Sequence, residues 1–285
     1  MFKLIKYEIK GSYKFFLGVL LTIGLASFFI QYNHRYNILN NYVTPGSGIL
    51  LDLFLGISLI AIYILAIAIF IYIVNQFRKE LNEDRSYLTF TLPLTGYQII
   101  AAKFITAIIF MITAAGVFII CNQLLTSILF RGSLKNAYPI WDNLINTTNL
   151  KLGLFTFISL LSNLLLMYLA ITISKITLRN RKLGGLWFII YNILNMVTSI
   201  FLNLFSKSYP LFMNIDTFDF TSSLSTHDFF NQSSLLSFPL FNNVLTNTYF
   251  GSNIYLSIPM LIGTIIIIIA AFSLTGYLLD KRIDL

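Results

Sequence analysis

Apolar residues in this chain run in long blocks rather than alternating with polar ones. A helix that crosses about 30 Å of hydrocarbon at about 1.5 Å per residue needs roughly 20 mostly apolar residues. Six stretches reach that length: Phe15 to Tyr32, Ile49 to Val74, Ile99 to Phe130, Leu152 to Ile173, Leu183 to Phe205 and Ile254 to Leu279. The pattern predicts an all-α polytopic membrane protein with six transmembrane helices in one domain over residues 1–285. The third block is the longest and is expected to tilt or to emerge from the bilayer at one end.

Two segments outside the blocks keep a helical period. In residues 1–14, Phe2, Ile5, Ile9 and Tyr13 recur at helical spacing, and Lys3, Lys6, Lys10 and Lys14 follow one step around. This predicts an amphipathic helix in the membrane interface, its lysines reaching membrane lipids; a plain charged flank is the simpler alternative. Residues 75–98, between the second and third blocks, start too polar to span and end too apolar for a solvated loop. There Leu81, Arg85, Leu88 and Leu92 share one face, Arg78, Glu80, Glu83 and Asp84 fill the rest, and Pro93 ends the helix. A short charged helix of this kind suits a grip by another protein, or lies in the interface without one.

The remaining connections carry little chemistry. The first, around residues 33–48, holds only the turn Thr44-Pro45-Gly46-Ser47-Gly48. The second, about 131–151, places Tyr138, Pro139 and Trp141 where amphipathic rings collect at a bilayer surface. The third, residues 206–253, is the largest, rich in aromatics and poor in charge, which predicts a small cap rather than free disorder.

Charge sets the orientation. The composition is 57% hydrophobic and 11% charged, against about 25% charged in soluble domains. A net charge of +8 would suggest nucleic acid in a soluble chain, but here it is a topology signal and no nucleic-acid partner is expected. Fourteen of the 19 Lys and Arg fall on one side: Lys3, Lys6, Lys10, Lys14, Arg78, Lys79, Arg85, Lys103, Lys175, Arg179, Arg181, Lys182, Lys281 and Arg282. Only Arg35, Arg131, Lys135, Lys151 and Lys207 fall on the other, so both termini are expected in the cytoplasm. The first block is read as a span and not a cleaved signal, since no small-x-small site follows its long basic segment.

Several kinds of chemistry are disfavoured. One cysteine, Cys121, and two histidines, His34 and His227, provide neither an internal disulfide nor a His-rich metal site. No Glu lies in any of the six blocks, which argues against an intramembrane protease or lipid transferase. Asp52 sits near one end of the second block and nothing comparable lies near a midplane, unlike proton-coupled carriers. The uncharged polar residues Asn163, Asn192, Asn195 and Asn203 fit interhelical hydrogen bonds, and Asn163, Asn192 and Asn195 alternatively mark a polar substrate path. Close helix approach is allowed at Ala114-Ala115-Gly116, Gly184-Gly185 and Ala270-Ala271, though no block contains Gly-x-x-x-Gly.

The segment with Glu83-Asp84-Arg85, Tyr87-Leu88, Leu92-Pro93-Leu94-Thr95 and then Lys103 resembles the cytoplasmic coupling segment of type-2 ABC exporter permeases. The basic start, the six blocks and the large connection before the last one extend the resemblance along the chain. Ser86 departs from it, standing where such permeases commonly have Gly. Among them the chain is most similar to small bacterial subunits that handle bacitracin, lantibiotics or amphipathic peptide toxins. The resemblance implies a plasma-membrane subunit that pairs with a second permease, identical or paralogous, and docks on two cytoplasmic ATPase subunits. It implies ATP-coupling roles for Glu80, Glu83, Asp84, Arg85, Tyr87, Leu88, Leu92 and Pro93, and export of a peptide or lipid-like substrate. ATP and Mg would be bound by the partner, in keeping with the missing Gly-x-x-x-x-Gly-Lys-Ser/Thr motif, and this chain would not itself be an enzyme. A non-transporting immunity or sensor protein, and a secondary carrier, share the composition and stand as alternatives.

Overall fold

The computed structural model describes residues 2–39, 49–82, 95–129, 147–177, 185–209, 211–214, 218–221, 248–250 and 253–281. In chain order they form α1 (Phe2–Leu39), α2 (Ile49–Asn82), α3 (Gly96–Leu129), α4 (Thr147–Thr177), α5 (Leu186–Ser208), β1 (Phe212–Asn214), β2 (Phe220–Thr221), β3 (Thr248–Phe250), β4 (Asn253–Ser257) and α6 (Ile258–Lys281). Each of these six helices carries a stretch long and apolar enough to cross a membrane. The protein is therefore a helical, multi-pass membrane protein, as the block pattern predicts. Helices suit this setting because hydrocarbon offers the backbone no hydrogen-bond partner. Hydroxyls inside the helices are satisfied locally in the same way: Thr106, Thr113, Thr126 and Thr172 each donate to a carbonyl three or four residues back.

By their contacts, residues 1–76 with 102–143 form one compact unit and residues 77–101 with 144–285 a second. In the first unit, α1 turns Ile5, Glu8, Ser12, Phe16, Val19, Ile23, Ser27 and Gln31 inward, one residue per turn. Phe15 stacks on Tyr72 of α2 at 3.9 Å and Phe16 on Phe110 of α3 at 4.4 Å between ring centroids. The inward stripe continues through Lys14 without a break, so the expected interfacial helix and the first span are one 38-residue helix. At about 1.5 Å per residue it is some 57 Å long, far more than the hydrocarbon core requires.

In the second unit α4 is the enclosed element, packed on both α5 and α6, which also touch each other. Every residue from Ser162 to Thr172 is buried, as expected for a helix that is apolar all round. The 206–253 connection contributes something the patterns did not predict, an antiparallel sheet of order β2-β1-β4-β3. Phe212 pairs with Ser257 and Met213 with Leu256. Leu256 is fully buried against Leu152, Phe155, Met213 and Leu261, which seats the sheet on the starts of α4 and α6. Because β4 occupies residues 253–257, the last span begins at Ile258 rather than Ile254, with Pro259 in the first helical turn where its missing N–H costs nothing.

Candidate functional site

The residues that singled out the 75–98 segment divide between described and undescribed parts. Glu83, Asp84, Arg85, Tyr87, Leu88, Leu92 and Pro93 lie outside the described residues, while the two ends of the segment are in view. At the first end, residues 75–82 extend α2 without interruption, so the segment does not open as a separate helix. Glu80 is half-buried there, Lys79 is exposed, and Phe77 and Leu81 are buried. Phe77 lies on Tyr168 of α4 with ring centroids 4.3 Å apart.

The second end is held by the last turns of α6. The carbonyl of Thr95 accepts the N–H groups of Gln98 and Ile99 and closes the first turn of α3. The N–H of Gly96 donates to Oδ1 of Asp280, which places a carboxylate at a helix N-terminus, where the helix dipole favours it. A Cβ on Gly96 would stand 2.7 Å from Cβ of Leu279, so only glycine permits this approach. The ring of Tyr97 lies in turn against Gly276, with no room there for a side chain, and 6.5 Å from the ring of Phe272. Both visible ends of the segment are thus packed on the helices of the second unit.

In the basic start Lys6, Lys10 and Lys14 are exposed, as is Tyr13 of the expected apolar face, while Ile5 is buried; the side chain of Lys3 lies outside the described residues. The same helix also carries a feature the reading of blocks missed. Glu8 faces inward and its Oε1 lies 2.6 Å from Nζ of Lys103, both side chains nearly closed off from solvent. Lys103 is therefore not a plain basic flank of the third span, and the apolar stretch Leu4–Asn33 does contain a Glu. Taking both charges out of water is costly, and their pairing offsets part of that cost. Nearby, Oγ of Ser12 donates to Oε1 of Gln76 at 3.4 Å. Farther along α1, Nε2 of Gln31 donates to Oδ1 of Asn122 at 3.0 Å, and Nδ2 of Asn122 donates to Ser27 and to the carbonyl of Phe118. Polar residues at helical spacing towards both ends of the inward stripe of α1, Glu8 and Ser12 and then Ser27 and Gln31, are the signal that could have revealed these pairs.

The three asparagines read as a candidate substrate path differ in their surroundings. Asn163 is buried and accepts the hydroxyl of Tyr191 at 3.2 Å while donating to the carbonyl of Ser159. This is the interhelical bond that the simpler reading expects, joining α4 to α5. Asn195 is also buried, but Asn192 is half-buried and donates to the carbonyl of Phe188 in its own helix. Among the described residues no group of three or more His, Cys, Asp or Glu could hold a metal ion. Asp52 and the Tyr138, Pro139 and Trp141 cluster have no described side chains. Compared with family models, curated proteins and solved structures, the chain matches none.

Proposed function

We propose that this protein is the membrane-spanning permease subunit of an ATP-driven exporter of the type-2 ABC kind, in a bacterial plasma membrane. Six crossings would put both termini on one side, and the lysine and arginine bias supports the cytoplasm as that side. Residues 75–98 would then face the cytoplasm, where two ATPase subunits would bind ATP and Mg and grip the charged residues of the segment. A second permease, identical or paralogous, completes the pore. The cargo is a hydrophobic or amphipathic molecule, a peptide toxin or antimicrobial peptide being the best fit to walls with so few charges.

The observation that carries this reading is the fastening of the segment at both visible ends. Phe77 on Tyr168 and Gly96–Tyr97 on Gly276 and Asp280 make a push on residues 83–94 a push on α4 and α6 as well. A loosely hung loop would absorb such a push. ATP reorients the permease only if its ATPase binds the permease states with different affinity, and a fastened segment is a means for that difference to act.

The test is an affinity pull-down from native membranes in mild detergent, comparing the wild type with Leu92→Asp. An ATPase with the phosphate-binding motif is expected with the wild type and lost from the variant, with membrane insertion unchanged. A stable preparation that brings down no such ATPase would overturn the proposal in favour of a sensor or carrier.

A further inference from the structure

The sheet end of the second unit carries an aromatic surface that the transport reading leaves unused. Three rings climb out of α5 in succession: Phe201 stacks on Phe205 with centroids 6.1 Å apart, and Phe205 lies 5.6 Å from Tyr209, beyond the end of the helix. Exposed apolar groups then continue through Leu211 to the β1–β2 hairpin, where Phe218 is 52% and Phe220 is 69% exposed. Phe218 has φ 61°, a left-handed conformation that bulky residues rarely adopt. It is held by its own N–H donating to the carbonyl of Asn214 at 2.9 Å, while the N–H of Asn214 donates to the carbonyl of Asp219 at 3.0 Å. Nζ of Lys151 stands 4.0 Å from the centroid of the Phe218 ring, and Lys207 is exposed in the last turn of α5.

The position of this surface is settled by its attachments. The N–H of Ile258, the first residue of α6, donates to the carbonyl of Leu211 at 3.1 Å, and the hydroxyls of Ser206 and Ser257 lie 2.8 Å apart. The sheet is therefore tied to the end of one membrane-crossing helix and the start of another, and its buried residues Phe212 and Leu256 are already taken up by the protein. Its exposed rings prolong the outward apolar face of α5, made by Val197, Ile200, Phe201 and Leu204. Rings backed by lysines at this level match the chemistry of the headgroup layer, where an apolar body and a charged tip are both satisfied.

We infer that Tyr209, Leu211, Phe218 and Phe220 form a docking face for the lipid leaflet at which α5 ends and α6 begins. The rings lie at the boundary of headgroups and acyl chains, and Lys151 and Lys207 meet lipid phosphates. The contact sets the depth of α5 and α6 and keeps the sheet on the membrane surface instead of in water. It requires only that the helices cross a bilayer, and so is independent of what the protein transports.

A nitroxide label on Phe220→Cys, in full-length protein with Cys121→Ala, tests this in vesicles of equal parts phosphatidylcholine and phosphatidylglycerol. Power saturation with oxygen and with a water-soluble nickel chelate reads the depth, and a label on Ile269→Cys, on the exposed apolar face of α6, gives the membrane-interior reference. The Phe220 label is expected to lose most of the chelate accessibility of free label and to report a depth shallower than the Ile269 label. A label on Tyr209→Cys should give the same shallow depth. Chelate accessibility equal to that of free label overturns the inference. So does a Phe220 label closed to both reagents, which would mean that protein, from residues 222–247 or a second copy, covers the face.

Discussion

The two compact units of this protein solve the same problem, holding three membrane-crossing helices together, by different chemistry. In the first, helices are joined through long side chains: a charged pair, an amide pair and two ring stacks. A Cβ built on Gly11, Gly18, Gly56 or Gly116 of that unit would meet nothing within 4 Å. In the second unit the backbones close in, and a Cβ on Gly96, Gly263 or Gly276 would run into a neighbouring helix. Of the best apolar windows in the second unit, 61% is buried in α4, 39% in α6 and 17% in α5, against 33% in α1 and 22% in α2 and α3. In lipid there is no hydrophobic drive between helices, so close packing and polar bonds are the alternatives left. Each unit leans on one of them.

The greatest expected effect breaks the polar side of that contrast. Glu8→Ala takes the carboxylate away from the buried ammonium of Lys103, and should cost about 3 to 5 kcal/mol of stability in a denaturation series on purified protein. Glu8→Leu with Lys103→Met should recover most of that loss, because an apolar pair carries no desolvation penalty. If the single and double variants lose equally, the pair does not hold the first unit.

A middle effect tests the close-packed side. Gly276→Ala should displace the Tyr97 ring and cost about 1 to 3 kcal/mol, whereas Gly18→Ala should be neutral or stabilise by up to about 1 kcal/mol. Equal melting shifts for the two variants would erase the difference in packing between the units. The smallest effect sharpens the comparison by asking how much the second unit also depends on polar bonds. Tyr191→Phe removes the hydroxyl that Asn163 accepts and should cost only about 0.6 kcal/mol, near the mean for such bonds between membrane helices. A loss several times larger would make Asn163 and Tyr191 a polar hub comparable to Glu8 and Lys103.

Sequence pattern served unevenly across these features. The spans were legible because twenty apolar residues in a row have few other fates, and their ends agree with the helices to within a few residues except where a helix runs on. Those extensions, α1 back to Phe2 and α2 on to Asn82, were missed because a change from apolar to amphipathic composition looks like an element boundary. Helical hydrogen bonding has no reason to stop there. The strands were missed because pieces of two to five residues have no measurable period. Of the candidate site, the spacing of Lys6, Lys10 and Lys14 was readable, but the inward position of Glu8 was hidden by reading charge as a surface property.

By itself, then, the sequence determined that the chain crosses a membrane on six helices, since hydropathy summed over a span outweighs any local preference. Its lysine and arginine bias supplies an expected orientation, and its Leu-Pro segment the resemblance from which a function is proposed. Only the tertiary structure decided which polar groups meet, because partners such as Glu8 and Lys103, or Gly96 and Asp280, are far apart in the chain. Their pairing depends on which helix faces come together, and that is set by the shapes of the packed side chains.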